Sequence, residues 1–118
     1  MASLLRVAPR LTVRLPIRLE VQIGEGQAVA LSQTENVSVS GMLVRSNRSY
    51  PVEADLRFEL FIPDQTGVIS GGGQVVRHTL DPRGHPNGLG VKFLSWEGIG
   101  QARLAEYLER VSREPDRP

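Results

Sequence analysis

The chain has 118 residues, a formal net charge of +1 at pH 7 and no cysteine. This length predicts a single domain, and the lack of cysteine excludes disulfides and thiolate metal sites. The near-neutral charge argues against a general nucleic-acid binder. Because no apolar run approaches the roughly 20 residues that cross a bilayer, we expect a cytoplasmic protein without a membrane segment.

The first half of the chain predicts three strands. Residues 15–23 alternate apolar and polar side chains, which is the period of a half-buried strand. Residues 24–26, Gly-Glu-Gly, have the composition of a tight hairpin turn, and residues 27–37 form the second predicted strand. A short apolar third strand follows over 42–44, and residues 46–51 have the composition of a loop.

The second half predicts three more strands. Residues 56–62 alternate well and end at a turn. The fifth strand covers 68–78 and contains three glycines at 71–73, which predict a bend or bulge. Residues 81–88 are rich in turn-forming side chains, and residues 89–93 form the sixth strand.

The end of the chain changes to a helical period. Leu104, Tyr107, Leu108 and Val111 fall on one face of a helix, which ends before Pro115. The short strands and the absence of a long crossover predict a mainly β fold. We expect a six-stranded antiparallel barrel with one C-terminal α-helix that covers an opening or a flank.

Two arginines, Arg10 and Arg14, lie four residues apart just before the first predicted strand. The guanidinium group is planar and donates several N–H groups. It can therefore bind two phosphate oxygens, or guanine O6 and N7, with two parallel hydrogen bonds. Arg6 with Arg10, and Arg14 with Arg18, repeat the same spacing, so the sequence contains three overlapping pairs.

A second motif, N-x-S-x-x-G, consists of Asn36, Ser38 and Gly41 and begins 22 residues after Arg14. The Asn36 amide can accept from guanine N1–H and also donate, and the Ser38 hydroxyl can bond to a base edge or a phosphate. Gly41 permits close backbone approach or a positive φ. Either motif alone is most often ordinary surface, whereas their combination favours a guanine-nucleotide site.

The motifs taken together resemble the PilZ domain. Residues 10–14 resemble the R-x-x-x-R of this family, and residues 36–41 resemble its [DN]-x-S-x-x-G. Residues 73–77 and 88–93 resemble its fifth and last strands, so the resemblance covers residues 10–111 in the same order. It implies a barrel that binds cyclic di-GMP, a bacterial second messenger, and acts as a receptor and not as an enzyme.

The resemblance also assigns residues to the ligand. The expected cyclic di-GMP contacts are Arg10, Arg14, Asn36, Ser38 and Gly41, and further candidate contacts are Arg6, Arg18 and Arg77. The resemblance further implies that the R-x-x-x-R segment is mobile without ligand and folds over the nucleotide. Pro9 leaves open whether one or two nucleotides bind, and asparagine where relatives often have aspartate leaves open whether binding is weaker.

We therefore expect a flexible arm over residues 1–9, a single domain over 10–113 and a disordered tail over 114–118. The expected ligand is cyclic di-GMP, with no cofactor and no metal. The expected partner is an unidentified protein effector of motility, surface attachment or polysaccharide output, bound by a monomer or a ligand-dependent dimer. One alternative is a PilZ-like adaptor that binds protein and no nucleotide. Another is a barrel for single-stranded RNA, which the 5% aromatic content argues against.

Overall fold

The computed structural model describes residues 11–63 and 67–113. The elements are β1 (Pro16–Ile23), β2 (Gly26–Val37), β3 (Gly41–Arg45), β4 (Asp55–Phe61), β5 (Val68–Leu80), β6 (Pro86–Trp96) and the helix α1 (Gly100–Arg113). All paired strands are antiparallel, and they close into a barrel in the order β1-β2-β3-β6-β5-β4. The predicted six-stranded antiparallel barrel with a C-terminal helix is confirmed.

The β1–β2 hairpin has the predicted tight turn. Ile23 pairs with Gly26 across the two residues between them, and Gly24 in this turn has a φ of 60°. Glycine adopts this left-handed conformation without the steric penalty of a Cβ. The hairpin thereby fixes the register that directs alternate residues of β1 into the barrel.

The barrel interior is filled by the inward residues of all six strands. The largest fully buried side chains are Phe58, Leu15, Ile17, Leu19, Met42, Leu60, Ile69, Leu89, Leu104, Val21, Val37 and Val44. Helix α1 adds Leu104, Tyr107 and Leu108 to this core and packs against β5, so it covers a flank of the barrel. Among residues 11–63 and 67–113, no helix has the length and hydropathy of a membrane span.

The last hairpin differs from the prediction. Strand β6 already begins at Pro86, which pairs with Leu80, so the turn covers residues 81–85 and not 81–88. The Asp81 carboxylate organises this shorter turn, because its Oδ1 accepts from the N–H of Arg83 at 2.8 Å and of His85 at 2.9 Å. A side chain that bonds to the following backbone compacts a turn in a way that composition alone does not reveal.

The three consecutive glycines lie within a continuous β5. The register against β6 shifts between Gly72 and Gly73, so the predicted bulge is confirmed. A Cβ on Gly71 would lie 2.2 Å from the Ser95 carbonyl oxygen and 2.9 Å from the Phe58 ring. The lack of a side chain therefore permits close approach of β5, β6 and the aromatic core.

We expect Gly71→Ala to destabilise the protein by about 1–3 kcal/mol, since backbone and a buried ring must move to admit the methyl group. The matched control is Gly26→Ala, because the atom nearest to a Cβ on Gly26 is 3.8 Å away. Urea denaturation of both variants checks this expectation. Equal urea midpoints for the two variants would show that a methyl group at position 71 destabilises the protein no more than one at position 26, which would contradict the expectation.

Candidate ligand-binding site

The turn between β2 and β3 is built around the Ser38 hydroxyl. Ser38 Oγ accepts from the N–H of Ser40 at 3.2 Å and of Gly41 at 3.3 Å, and the Ser38 N–H donates to the Gly41 carbonyl at 2.8 Å. Ser38 is only 2% exposed. Its hydroxyl therefore stabilises the turn, and a direct contact of Ser38 with a ligand stays a prediction.

Gly41 also has a role within the fold. A Cβ at this position would lie 2.5 Å from the Val91 carbonyl oxygen, so glycine is needed for β3 to pair closely with β6. Gly41 is not among the described residues with positive φ, and it is buried. The sequence suggested that Gly41 makes room for a ligand or for a left-handed turn. In the structure, β6 occupies the space beside Gly41.

Asn36 lies on the outer face of the barrel wall. It pairs with Leu43 in register, next to a bulge between Thr34 and Asn36, and is half-buried. Leu43 pairs with Gly90, and Gly90 pairs with Arg77. Directly paired residues of an antiparallel sheet share a face, so these four positions form one outer row.

The row brings Arg77 to the same face as Asn36. Adjacent strands are about 4.8 Å apart, so the two backbones are separated by about 14 Å. The Arg77 side chain extends across β6, because a Cβ on Gly90 would lie 2.7 Å from Arg77 Cγ and 3.1 Å from its Nε. Glycine at position 90 thus leaves room for an arginine that lies flat on the wall.

The segment over residues 11–15, which carries Arg14, is fastened to β2. Leu11 and Val37 exchange two backbone hydrogen bonds of 2.9 Å. Thr34, which is 0% exposed, accepts from the Leu15 N–H at 2.9 Å through its hydroxyl and donates to the Val13 carbonyl. Both chain neighbours of Arg14 are therefore bonded to Thr34, whereas the mobility of the R-x-x-x-R segment without ligand stays a prediction.

Arg14 is also held through its side chain. Glu35, at the bulge in β2, forms ion pairs with Arg14 at 3.5 Å and with Arg45 at 2.9 Å. Neither Glu35 nor Arg45 belongs to a motif of the sequence. The sequence offered one signal, an acidic residue directly before Asn36. Arg14 and Arg45 become neighbours of this carboxylate only when residues 11–15 and β3 lie beside β2.

The remaining candidate arginines do not all join this face. Arg18 pairs in register with Leu31, about 16 Å along β2 from Asn36 at ordinary strand rise. Its side chain donates to Glu20 at 2.7 Å. Arg10 and Arg6, and also Pro9, lie outside the described residues.

An open groove of ≈ 720 Å³ lies next to the Ser38 turn. Its walls are formed by Val39, Ser40, Gly41, Val76, Val91, Lys92, Phe93, Leu94, Trp96 and Gln101. Lys92, the only lysine in the sequence, pairs in register with Gly41. The groove combines segments from four parts of the chain, so local sequence patterns did not reveal it.

The charges and the groove define what this face can bind. Lys92 lines the groove, Arg77 lies against Gly90 of β6, and Glu35 pairs with Arg14 and Arg45 at the bulge of β2. The groove is lined by both polar and apolar residues, and guanidinium groups can bind phosphate oxygens. A small barrel with this combination on its outer wall has the features of a binding module for an anionic ligand.

Comparison with known proteins defines the family. A family model for the PilZ domain matches residues 4–110, and the chain belongs to this family. PilZ domains are regulatory domains that bind cyclic di-GMP, and the comparisons indicate no catalytic family. No curated relative matches the sequence significantly.

Solved structures share the fold at low sequence identity. The Bacillus subtilis inhibitor of motility MotI (DgrA) has a TM-score of 0.72 and 18% identity over 93% of this chain and 53% of that one. The chain thus spans about half the length of MotI. The PilZ domain of Escherichia coli YcgR with c-di-GMP has a TM-score of 0.61 and 18% identity, covering 92% and 94% of the two chains. The PilZ domain of CeSA from a cellulose-synthesizing bacterium has a TM-score of 0.56 and 14% identity, covering 86% and 99%.

The Thr34 hydroxyl offers a test of how the site is built. We expect Thr34→Val to lower the free energy of unfolding by about 1–3 kcal/mol, because the buried Leu15 N–H loses its partner. Thr34→Ser keeps the hydroxyl and is the matched control. Chemical denaturation measures the difference, and a valine variant at least as stable as the serine variant would contradict the assigned role.

Proposed function

We propose that this protein is a cytoplasmic receptor for cyclic di-GMP. The nucleotide binds on the outer wall of the barrel, between residues 11–15, the Ser38 turn and the groove beside Lys92. The observation that carries this proposal is that Arg14, Asn36 and the groove lie on one face of a domain whose family binds cyclic di-GMP. The structure of the YcgR domain, which shares the fold, is of the domain with c-di-GMP, and this supports the same ligand.

The polar groups of this face divide between base and phosphates. The Asn36 amide recognises a guanine edge, since it can both accept and donate. Arg14 binds phosphate or guanine from the segment fastened to β2, with Arg10 acting from the same motif. Arg77 and Lys92 supply further positive charge from the other side of the groove. Ser38 and Gly41 act indirectly, by fixing the turn between Asn36 and the groove.

Glu35 competes with the ligand for Arg14. In the free protein its carboxylate neutralises part of the charge of Arg14 and Arg45, which are exposed on the wall. A phosphate that binds Arg14 replaces this carboxylate. The exposed ion pairs are weak, at about 0–1 kcal/mol each, whereas a doubly anionic ligand forms charge-assisted bonds with both arginines. We therefore expect the exchange to favour the ligand.

Arg14→Ala is expected to weaken cyclic di-GMP binding by about 1.5–3 kcal/mol, roughly tenfold to over a hundredfold, because a charge-assisted bond is lost. Isothermal titration calorimetry measures the change. The matched control is Arg57→Ala, which removes another exposed, ion-paired arginine on β4. Arg18→Ala is expected to bind normally, because Arg18 lies away from Asn36.

The outcomes of this titration are separable. Unchanged affinity in Arg14→Ala would refute the role of Arg14, and a loss in Arg57→Ala would show that the nucleotide binds elsewhere. Trp96 is the only tryptophan and lines the groove, so its fluorescence gives a second readout. No binding by the wild-type protein would favour the alternative of a nucleotide-independent adaptor.

Glu35→Gln is expected to tighten binding of cyclic di-GMP by roughly threefold to tenfold. The substitution keeps the shape of the side chain and removes one negative charge near a dianion, which is worth about 1 kcal/mol at short range in water. Calorimetry at low and high salt measures this change, and the gain should shrink as salt screens the charge. Weaker binding would instead mean that Glu35 chiefly orients Arg14.

The proposed output is a change in the outer wall that a protein effector recognises. Exchange of Glu35 for phosphate at Arg14 and Arg45 alters the charge of this face, and the bound nucleotide fills the groove next to α1. Motility, surface attachment or polysaccharide production are the proposed processes. One neighbour in fold is an inhibitor of motility and another comes from a cellulose-synthesizing bacterium.

A further inference from the structure

Strand β2 is much longer than its neighbour β3. Residues 26–33 pair with β1 over their whole length, whereas β3 pairs with β2 only from Thr34 onward. The Arg45 carbonyl, at the end of β3, accepts from Ser32 Oγ at 2.7 Å, which marks where β3 leaves β2. Within residues 11–63 and 67–113, no strand lies along the second edge of residues 26–32.

The backbone groups at this edge follow from the alternation of an antiparallel ladder. The Thr34 N–H donates to the Leu15 carbonyl, and the register to β1 continues without a shift. The N–H and C=O groups of Ala28, Ala30 and Ser32 therefore face β1. Those of Gln27, Val29 and Leu31 face away from β1, toward the edge without a partner strand.

The side chains at this edge leave it open to pairing. Val29 is 51% exposed and Leu31 is 77% exposed. Residues 26–33 read Gly-Gln-Ala-Val-Ala-Leu-Ser-Gln and contain no charge and no proline. Natural proteins usually protect an edge strand with a charge, a proline or a bulge, and none of these occurs over residues 26–33.

We propose that this edge forms a homodimer by antiparallel pairing of β2 with β2 of a second copy. The free edge spans residues 26–32, so a two-fold axis at Val29 pairs all of it, and the pairing ends where β2 meets the end of β3. The self-complementary chemistry favours a second copy as the occupant. Because the edge carries no charge, two copies meet without repulsion, as an isologous contact requires.

In this register Val29 lies opposite Val29 of the second copy, and Gln27 lies opposite Leu31. The outward backbone groups of all three residues gain partners. Leu31 of each copy also lies diagonal to Val29 of the other, within reach for side-chain contact. Glu25, in the hairpin turn of one copy, lies opposite Gln33 of the other in this register, so no like charges face each other.

Sedimentation equilibrium of the full chain without nucleotide tests the dimer, and the proposed nucleotide site plays no part in the result. At about 100 μM, a concentration that suits a small interface, we expect twice the molar mass of the chain. Val29→Lys places two lysines opposite each other at the axis, and we expect the dimer dissociation constant to rise by roughly tenfold or more. A monomeric wild type would overturn the proposal.

A mixing experiment tests the register. Val29→Lys and Val29→Glu should each dimerise more weakly than the wild type when alone, whereas an equimolar mixture should form dimers more readily, because lysine then lies opposite glutamate. The matched control is Leu80→Lys, since Leu80 is 60% exposed at the end of β5, and it should dimerise as the wild type does. Circular dichroism confirms that all variants are folded. A mixture that stays monomeric, or a Val29→Lys dimer as tight as the wild type, would refute pairing at Val29.

Discussion

The buried hydroxyl of Thr34 is the contact on which the ligand-binding face depends. It joins residues 11–15 to β2 by bonding on both sides of Arg14, at Val13 and Leu15. Together with the backbone bonds between Leu11 and Val37, it holds this segment against the barrel wall. Arg14 therefore leaves the wall at a fixed point beside the bulge that presents Glu35 and Asn36. A residue inside the barrel thus positions a side chain outside it.

The face combines fixed and exchangeable parts. Ser38 and Gly41 are buried in the connection between β2 and β3, so the space between Asn36 and the groove is set by the fold. The ion pairs of Glu35 with Arg14 and Arg45 are exposed and therefore weak. An anionic ligand can replace them without disturbing the barrel. This division allows a small domain to respond at its surface while its core remains unchanged.

Much of the fold was predictable because the barrel depends on local alternation. The period of two in β1 and β4, the glycine turn at 24–26 and the helical stripe of α1 are all local signals. The site was less predictable, because burial and strand register are not local. Ser38 and Gly41 match a ligand motif, yet both are buried. Glu35 and Arg45 become partners only in the closed sheet, and the groove collects residues from distant segments.

The contact between Arg77 and Gly90 joins two positions of adjacent strands. The arginine lies flat because its neighbour has no side chain, so a side chain at position 90 would conflict with arginine at position 77. Among descendants of this sequence, a larger residue at 90 would force the cation at 77 away from the wall. The residues at 77 and 90 should therefore covary during evolution. Arginine at 77 together with glycine at 90 would indicate a barrel that keeps a positive charge on this face.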